Sequence, residues 1–151
     1  MPFDTKLADP RGHRMLDSSI DKCMYMLRLK DLDLHGTRIK ELLFPECFCP
    51  NLQRLNVSFC NELVEVGELP TTLRSLELQN CAALKEITGL SGLEKLRLLD
   101  ISGCKNIKEM PGVETLASLE HLRGLNDCRR LNKSTKKSAQ DIIDANRKRK
   151  S

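Results

Sequence analysis

Tryptophan is absent from the 151-residue chain, tyrosine occurs once and phenylalanine four times, so aromatics make up only 3% of it. A compact core of this size ordinarily leans on large rings, so the interior must be built from aliphatic side chains. Also missing is any run near the roughly 20 apolar residues that a membrane-spanning helix needs, which excludes a helical span. Residues 1–10 lack the apolar centre of a secretory signal. There is no Gly-x-x-x-x-Gly-Lys-Ser/Thr loop to cradle a nucleotide phosphate. His13, His35 and His121 have no nucleophile-and-acid pattern around them, and Cys47-Phe48-Cys49 is a C-x-C, not the paired C-x-x-C of zinc ribbons. These absences argue against an enzyme, a small-molecule substrate, a cofactor and a metal.

What the chain has in place of these is a recurring phrase. The cleanest copy places Leu73, Leu76 and Leu78 ahead of Cys81. Others are Leu52, Leu55, Val57 and Cys60; Leu96, Leu99, Ile101 and Cys104; and Leu29, Leu32, Leu34 and Thr37. A last copy, Leu119, Leu122, Leu125 and Cys128, carries one extra residue. The final residues of the phrases are spaced 23, 21, 23 and 24 apart. A fixed period in this range with this leucine spacing is the signature of a leucine-rich repeat. Alternation sets the second and third leucines inward on a short strand, and successive strands stack in parallel as one sheet. Return segments supply further inward positions: Ile39 and Leu42, Leu63 and Val66, Leu84 and Ile87, Ile107 and Met110. Pro70 and Pro111 punctuate two returns and disfavour helix there. The expected fold is an α/β solenoid: a short arc of about five coils with a concave parallel sheet, irregular or 3₁₀ convex returns, and short helices at both ends. The slot held by Thr37, Cys60, Cys81, Cys104 and Cys128 calls for a small buried donor that reaches a neighbouring coil's carbonyl. It reads as a structural ladder.

Organisation follows from composition. Residues 1–14 are polar and Pro/Gly-marked and read as loop or disorder. Over 15–28, Leu16, Ile20, Cys23 and Leu27 fall on one helical face, which suits a helix capping the first coil. The repeats occupy 29–131. Residues 132–151 form a basic tail, helical if Ser134 caps it, with Ile142 and Ile143 as its only large apolar side chains. Residues 129–151 hold nine Lys or Arg and two Asp, so a local +7 leaves −3 of the chain's +4 to residues 1–128. The run Arg147, Lys148, Arg149, Lys150 has the composition of a nuclear-localisation patch, although such runs are usually just solvated. Nucleic acid is not an expected partner. The seven cysteines are odd in number and four occupy the slot, which argues for reduced thiols in a cytoplasmic or nuclear protein.

The residues between the leucines are the ones free to carry specificity. Outward positions form lanes across the sheet: Lys30, Gln53, Arg74, Arg97 and Glu120 in one, and Asp33, Asn56, Glu77 and Asp100 in another. A solvated, salt-bridged face is the default for such charges. Phe59, at the rim after the second strand, and Leu98, outward where its equivalents are Asp31, Arg54, Ser75 and His121, do not fit that default. Exposed apolar residues on a polar face are candidate contact anchors. The candidate protein-binding set is Lys30, Asp33, Arg54, Asn56, Phe59, Arg74, Glu77, Arg97, Leu98, Asp100 and His121.

The phrase Leu-x-x-Leu-x-Leu-x-x-Cys-x-x-Leu resembles the repeats of plant intracellular nucleotide-binding leucine-rich-repeat immune receptors. Leu99-Asp100-Ile101-Ser102-Gly103-Cys104 and Glu109-Met110-Pro111 are similar to members with an N-terminal Toll-like domain. Thr37-x-Ile39-x-x-Leu42 looks like the alternative form of the repeat in the same receptors. The resemblance covers about residues 27–131. It implies a non-enzymatic protein-recognition region in plant defence, one that senses a pathogen effector or a guarded host protein and helps hold the receptor inactive. Neither the nucleotide-binding switch nor a signalling domain is present in these residues, so what is implied is recognition without switching, as in a fragment or truncated relative. Repeats of ubiquitin-ligase adaptors also carry cysteine in the slot, but with a period nearer about 26. That alternative, a ligation or signalling adaptor, stays open, as does a fragment with no independent function.

Overall fold

A computed structural model describes residues 27–44 and 49–150. The lead 1–14 and nearly all of the capping helix expected over 15–28 lie outside the described residues; Leu27 and Arg28 form a turn. Five short strands alternate with three others along the chain: β1 Asp31–Asp33, β2 Glu41–Leu43, β3 Arg54–Asn56, β4 Glu65–Gly67, β5 Ser75–Glu77, β6 Glu86–Ile87, β7 Leu98–Asp100 and β8 His121–Arg123. They sort into two sheets, β1-β3-β5-β7-β8 and β2-β4-β6. Every pairing is parallel, as a coil that always winds the same way requires. The chain is a short leucine-rich-repeat arc with its front sheet on the concave face.

Register carries the sequence repeat into space. Leu32, Leu55, Leu76, Leu99 and Leu122 pair in one row across the front sheet. The first four are buried, while Leu122 is half-buried. The third apolar position, Leu34, Val57, Leu78 and Ile101, is buried as well. Each fully buried leucine contributes about 2–3 kcal/mol by removal of its surface from water. With one such pair from each of the first four coils, the core runs unbroken along the stack.

The convex returns are more regular than expected. In place of mainly irregular or 3₁₀ segments, three of them form the second sheet, and a bridge between Glu86 and Glu109 carries it into a fourth coil. Its inward residues Leu42, Val66 and Ile87 are those read from the spacing. Pro70 and Pro111 fall just beyond these segments, where no ladder N–H is needed. A 3₁₀ turn, Val113–Thr115, follows Pro111.

Between strand and slot the chain turns sharply, and the residue before the slot is left-handed: Gly36 (φ 71°), Phe59 (φ 62°), Asn80 (φ 57°) and Gly103 (φ 77°). At Gly103 the space is also closed, since a Cβ would lie 2.2 Å from the Asn80 side-chain oxygen. The turn is bonded by the strand residue itself. Asp33, Asn56 and Asp100 each accept the N–H two residues on, from His35, Ser58 and Ser102, all at 3.0 Å. This local bond is why Asp and Asn recur there.

The chain closes on one helix, α1, Lys133–Lys150. Its cap lies two residues before the expected Ser134. The Asn132 side chain accepts the Thr135 N–H at 2.7 Å, leaving Ser134 inside the first turn. Nor is the helix loosely attached. Ala139, Ile143 and Asn146, at spacings of four and three, are buried on one face against Val113–Thr115.

Candidate functional site

The slot forms the expected ladder in three coils. The thiols of Cys60, Cys81 and Cys104 donate to the carbonyls of Leu34, Val57 and Leu78 in the preceding coil, at 3.1, 3.0 and 2.8 Å. The Thr37 hydroxyl lies 3.4 Å from the Cys60 sulfur. Burial pushes the Cys60 thiol up, and the Cys104 thiol together with burial does the same at Cys81. Both stay protonated and able to donate. Cys128 departs from the ladder. The extra residue in its coil brings Gly124 to the third apolar position, where a Cβ would lie 2.3 Å from Ser102 backbone atoms. The Cys128 thiol bonds Gly124 within its own coil at 3.5 Å. Cys60, Cys81, Cys104 and Cys128 are free and buried, and Cys49 is buried as well.

The front face holds the candidate residues in the lanes read from the sequence. Asp31, Arg54, Ser75, Leu98 and His121 are in register, as are Asp33, Asn56, Glu77, Asp100 and Arg123. Lys30, Arg54, Arg74, Arg97 and His121 are exposed. Arg54 pairs with Asp31 at 2.5 Å across β1 and β3. Leu98 is half-buried. Ser75, between Arg54 and Leu98, is buried, with no partner for its hydroxyl among the described residues.

Two positions differ from what the lanes suggest. Asp100 is not a surface charge: it is 2% exposed. Burial opposes its ionisation, but bonds from Ser102 and from Gln79 (2.7 Å), with Arg123 4.0 Å away, outweigh that and hold its carboxyl below the ordinary range. Asp33 and Asn56 share its role in the turn. The acidic lane is thus in large part the chain's own turn-forming apparatus, and Glu77 is its member without that bond in the side-chain pairings seen. Phe59 differs in the other direction. It is 51% exposed and left-handed, where the equivalent residues are Gly36, Asn80 and Gly103. Such backbone costs a residue with a Cβ about 1–2 kcal/mol, and Asn tolerates it far better than Phe does.

A second feature was not read from the sequence. The end of α1 comes back to the front sheet and encloses a half-open cleft of about 490 Å³ lined by Arg97, Glu120, His121, Arg147, Arg149 and Lys150. Lys150 donates to Glu120, and Arg97 lies 3.9 Å from the same carboxylate oxygen. The bond from Lys150 draws the Glu120 carboxyl below its usual range. Buried Asn146 seats the helix end: its amide donates to Leu116 and Leu119 carbonyls at 3.2 and 2.8 Å, and its oxygen accepts from Arg149. The tail's charge run is therefore partly engaged and not simply solvated. Sequence spacing cannot bring residue 97 next to residue 149, so this juxtaposition left no signal. By contrast, the stack of Glu41, Glu65, Glu86 and Glu109 on the return sheet did leave one. Those glutamates recur at 24, 21 and 23 residues, the period of the coil.

With this geometry the class is that of a leucine-rich-repeat solenoid. No protein-family model, curated protein or solved structure matches the chain. Among the described residues no helix is long and apolar enough to cross a membrane, and no group of three or more His, Cys, Asp or Glu is placed to hold a metal ion.

Proposed function

We propose that the chain is a non-enzymatic protein-recognition module that presents its concave sheet to another protein. The motifs it shares with plant intracellular immune receptors extend the proposal to plant defence. The partner would then be a pathogen effector or a guarded host protein, met in the cytoplasm or, with Arg147–Lys150 as an address, in the nucleus. The observation that carries the reading is Phe59. A large ring is held at the rim in a backbone conformation that glycine occupies at Gly36 and Gly103, and it is left in water. Strain retained at an exposed aromatic serves contact better than it serves folding. Leu98, half-buried on the same face, is the second anchor.

Phe59→Gly separates the two roles, because it removes the ring and relieves the backbone. The expected outcome is unchanged or raised stability together with loss of the partner that a photo-crosslinker at position 98 captures from plant extract. The same crosslinker at Glu65, on the return sheet, serves as the control. Equal capture by Phe59→Gly and the parent chain would sink the concave-anchor idea, and ligase core subunits among the captured proteins would favour an adaptor.

A further inference from the structure

We propose that the cleft between the end of α1 and the front sheet binds a phosphate monoester dianion. Four permanent cations line it, Arg97 from the sheet side and Arg147, Arg149 and Lys150 from the helix, against one acid, Glu120. The lining therefore carries +3 with a carboxylate already inside. A favourable interaction with the helix C-terminus explains basic residues in the last turn of α1. It does not explain why they are brought up to Arg97. That is the work of Asn146, which spends both amide protons on the Leu116 and Leu119 carbonyls and its oxygen on Arg149. A buried, fully bonded side chain thus holds like charges together against their repulsion.

The occupant follows from this balance. Glu120 accepts from Lys150 and faces Arg97, so it stands where an anion's oxygens would sit. A ligand carrying one carboxylate would only replace it. A phosphate ester carries close to two charges near neutral pH and three strong acceptor oxygens, and can displace Glu120 and still leave the lining positive. Arg97 and Arg149 bring planar guanidinium forks from two different elements, a shape that suits bidentate phosphate contacts. The volume of about 490 Å³ falls in the range of small-ligand pockets. The ester has two conceivable sources, a phosphorylated side chain of another protein or a free small phosphate ester, and the chemistry at the cleft is the same for both. The proposal is independent of the Phe59 anchor.

Calorimetric titration of the full chain with O-phosphoserine at low ionic strength tests it. Saturable binding is expected, weakened at least about tenfold in Arg97→Ala and in Arg149→Ala. Glu120→Gln removes the internal competitor and should tighten binding about fivefold or more. Glu109→Gln makes the same charge change on the return sheet and should leave binding unaltered. Thermal melts confirm that each variant is folded. A phosphoserine peptide at least about tenfold tighter than the free amino acid would assign the site to a modified protein; equal affinity would assign it to a free ester. Non-saturable uptake, or identical behaviour of Glu120→Gln and Glu109→Gln, would overturn the proposal, since the effect would then be one of net charge alone.

Discussion

Coils two to four and the C-terminal closure solve the same problem by different means. In the interior, each coil is finished by the next: backbone N–H groups bond the neighbour's carbonyls, as Leu34 to Asn56, Val57 to Glu77 and Leu78 to Asp100, and each slot thiol reaches back one coil. The last coil is the irregular one, and among the described residues no further coil follows it. Gly103, whose equivalents Gly36, Phe59 and Asn80 bond backbone carbonyls, bonds the Asp127 side chain at 2.9 Å. Cys128 bonds within its own coil, and a single helix with one buried amide covers the open face. Repetition distributes stability over many equivalent contacts. Closure concentrates it in a few that occur once.

The comparison can be broken most forcefully with a charge. Leu76→Asp buries an unpaired carboxylate at a fully enclosed central position and should cost more than about 4 kcal/mol, abolishing cooperative urea unfolding. Leu122→Asp, in the same row but half-buried in the last coil, should cost about 1–2 kcal/mol and only fray the end. Equal losses would mean that the last coil is as integral as the centre.

Alkaline pH is the next lever. Burial, with the Asp127 charge, pushes the Cys128 thiol from 9.0 up to about 11. A thiol whose folded pKa is raised stabilises fully below its unfolded value. That contribution is lost as pH rises from 9.0 to about 11, and for Cys128 it is worth about 2–3 kcal/mol. Urea midpoints should fall over that window, and the fall should shrink in Cys128→Ser. Asn146→Ala should cost about 1–3 kcal/mol by leaving the Leu116 and Leu119 carbonyls without its bonds. Hydrogen exchange should then lose protection across residues 133–150 but not in β3 or β5. The smallest effect belongs to Cys81→Ser, within about 1 kcal/mol because a hydroxyl still reaches the Val57 carbonyl; Cys81→Ala, with no donor, should be clearly worse.

The same division governed what could be read in advance. Leu55, Leu76 and Leu99, the thiol ladder and the lane register were legible because a periodic chain repeats one local solution, and the period itself gives the neighbour. The Asx turn at Asp33, Asn56 and Asp100 was hidden within an apparent charge lane, since composition cannot tell a carboxylate that bonds its own backbone from one that faces water. The regular return sheet was half visible in the recurrence of glutamate. The basic cleft was not visible at all. It depends on Asn146, a polar residue whose burial no hydropathy pattern announces, and on Arg97 and Arg149, more than fifty positions apart, lining one cleft.

The front sheet also sets a ruler. Five strands at the parallel spacing of about 4.8 Å give a face only about 19 Å across. That distance is matched by about six residues of extended chain or about thirteen of helix. On the recognition role proposed above, a segment crossing the described strands would meet this face over that short length alone, which concentrates selectivity in a few contacts.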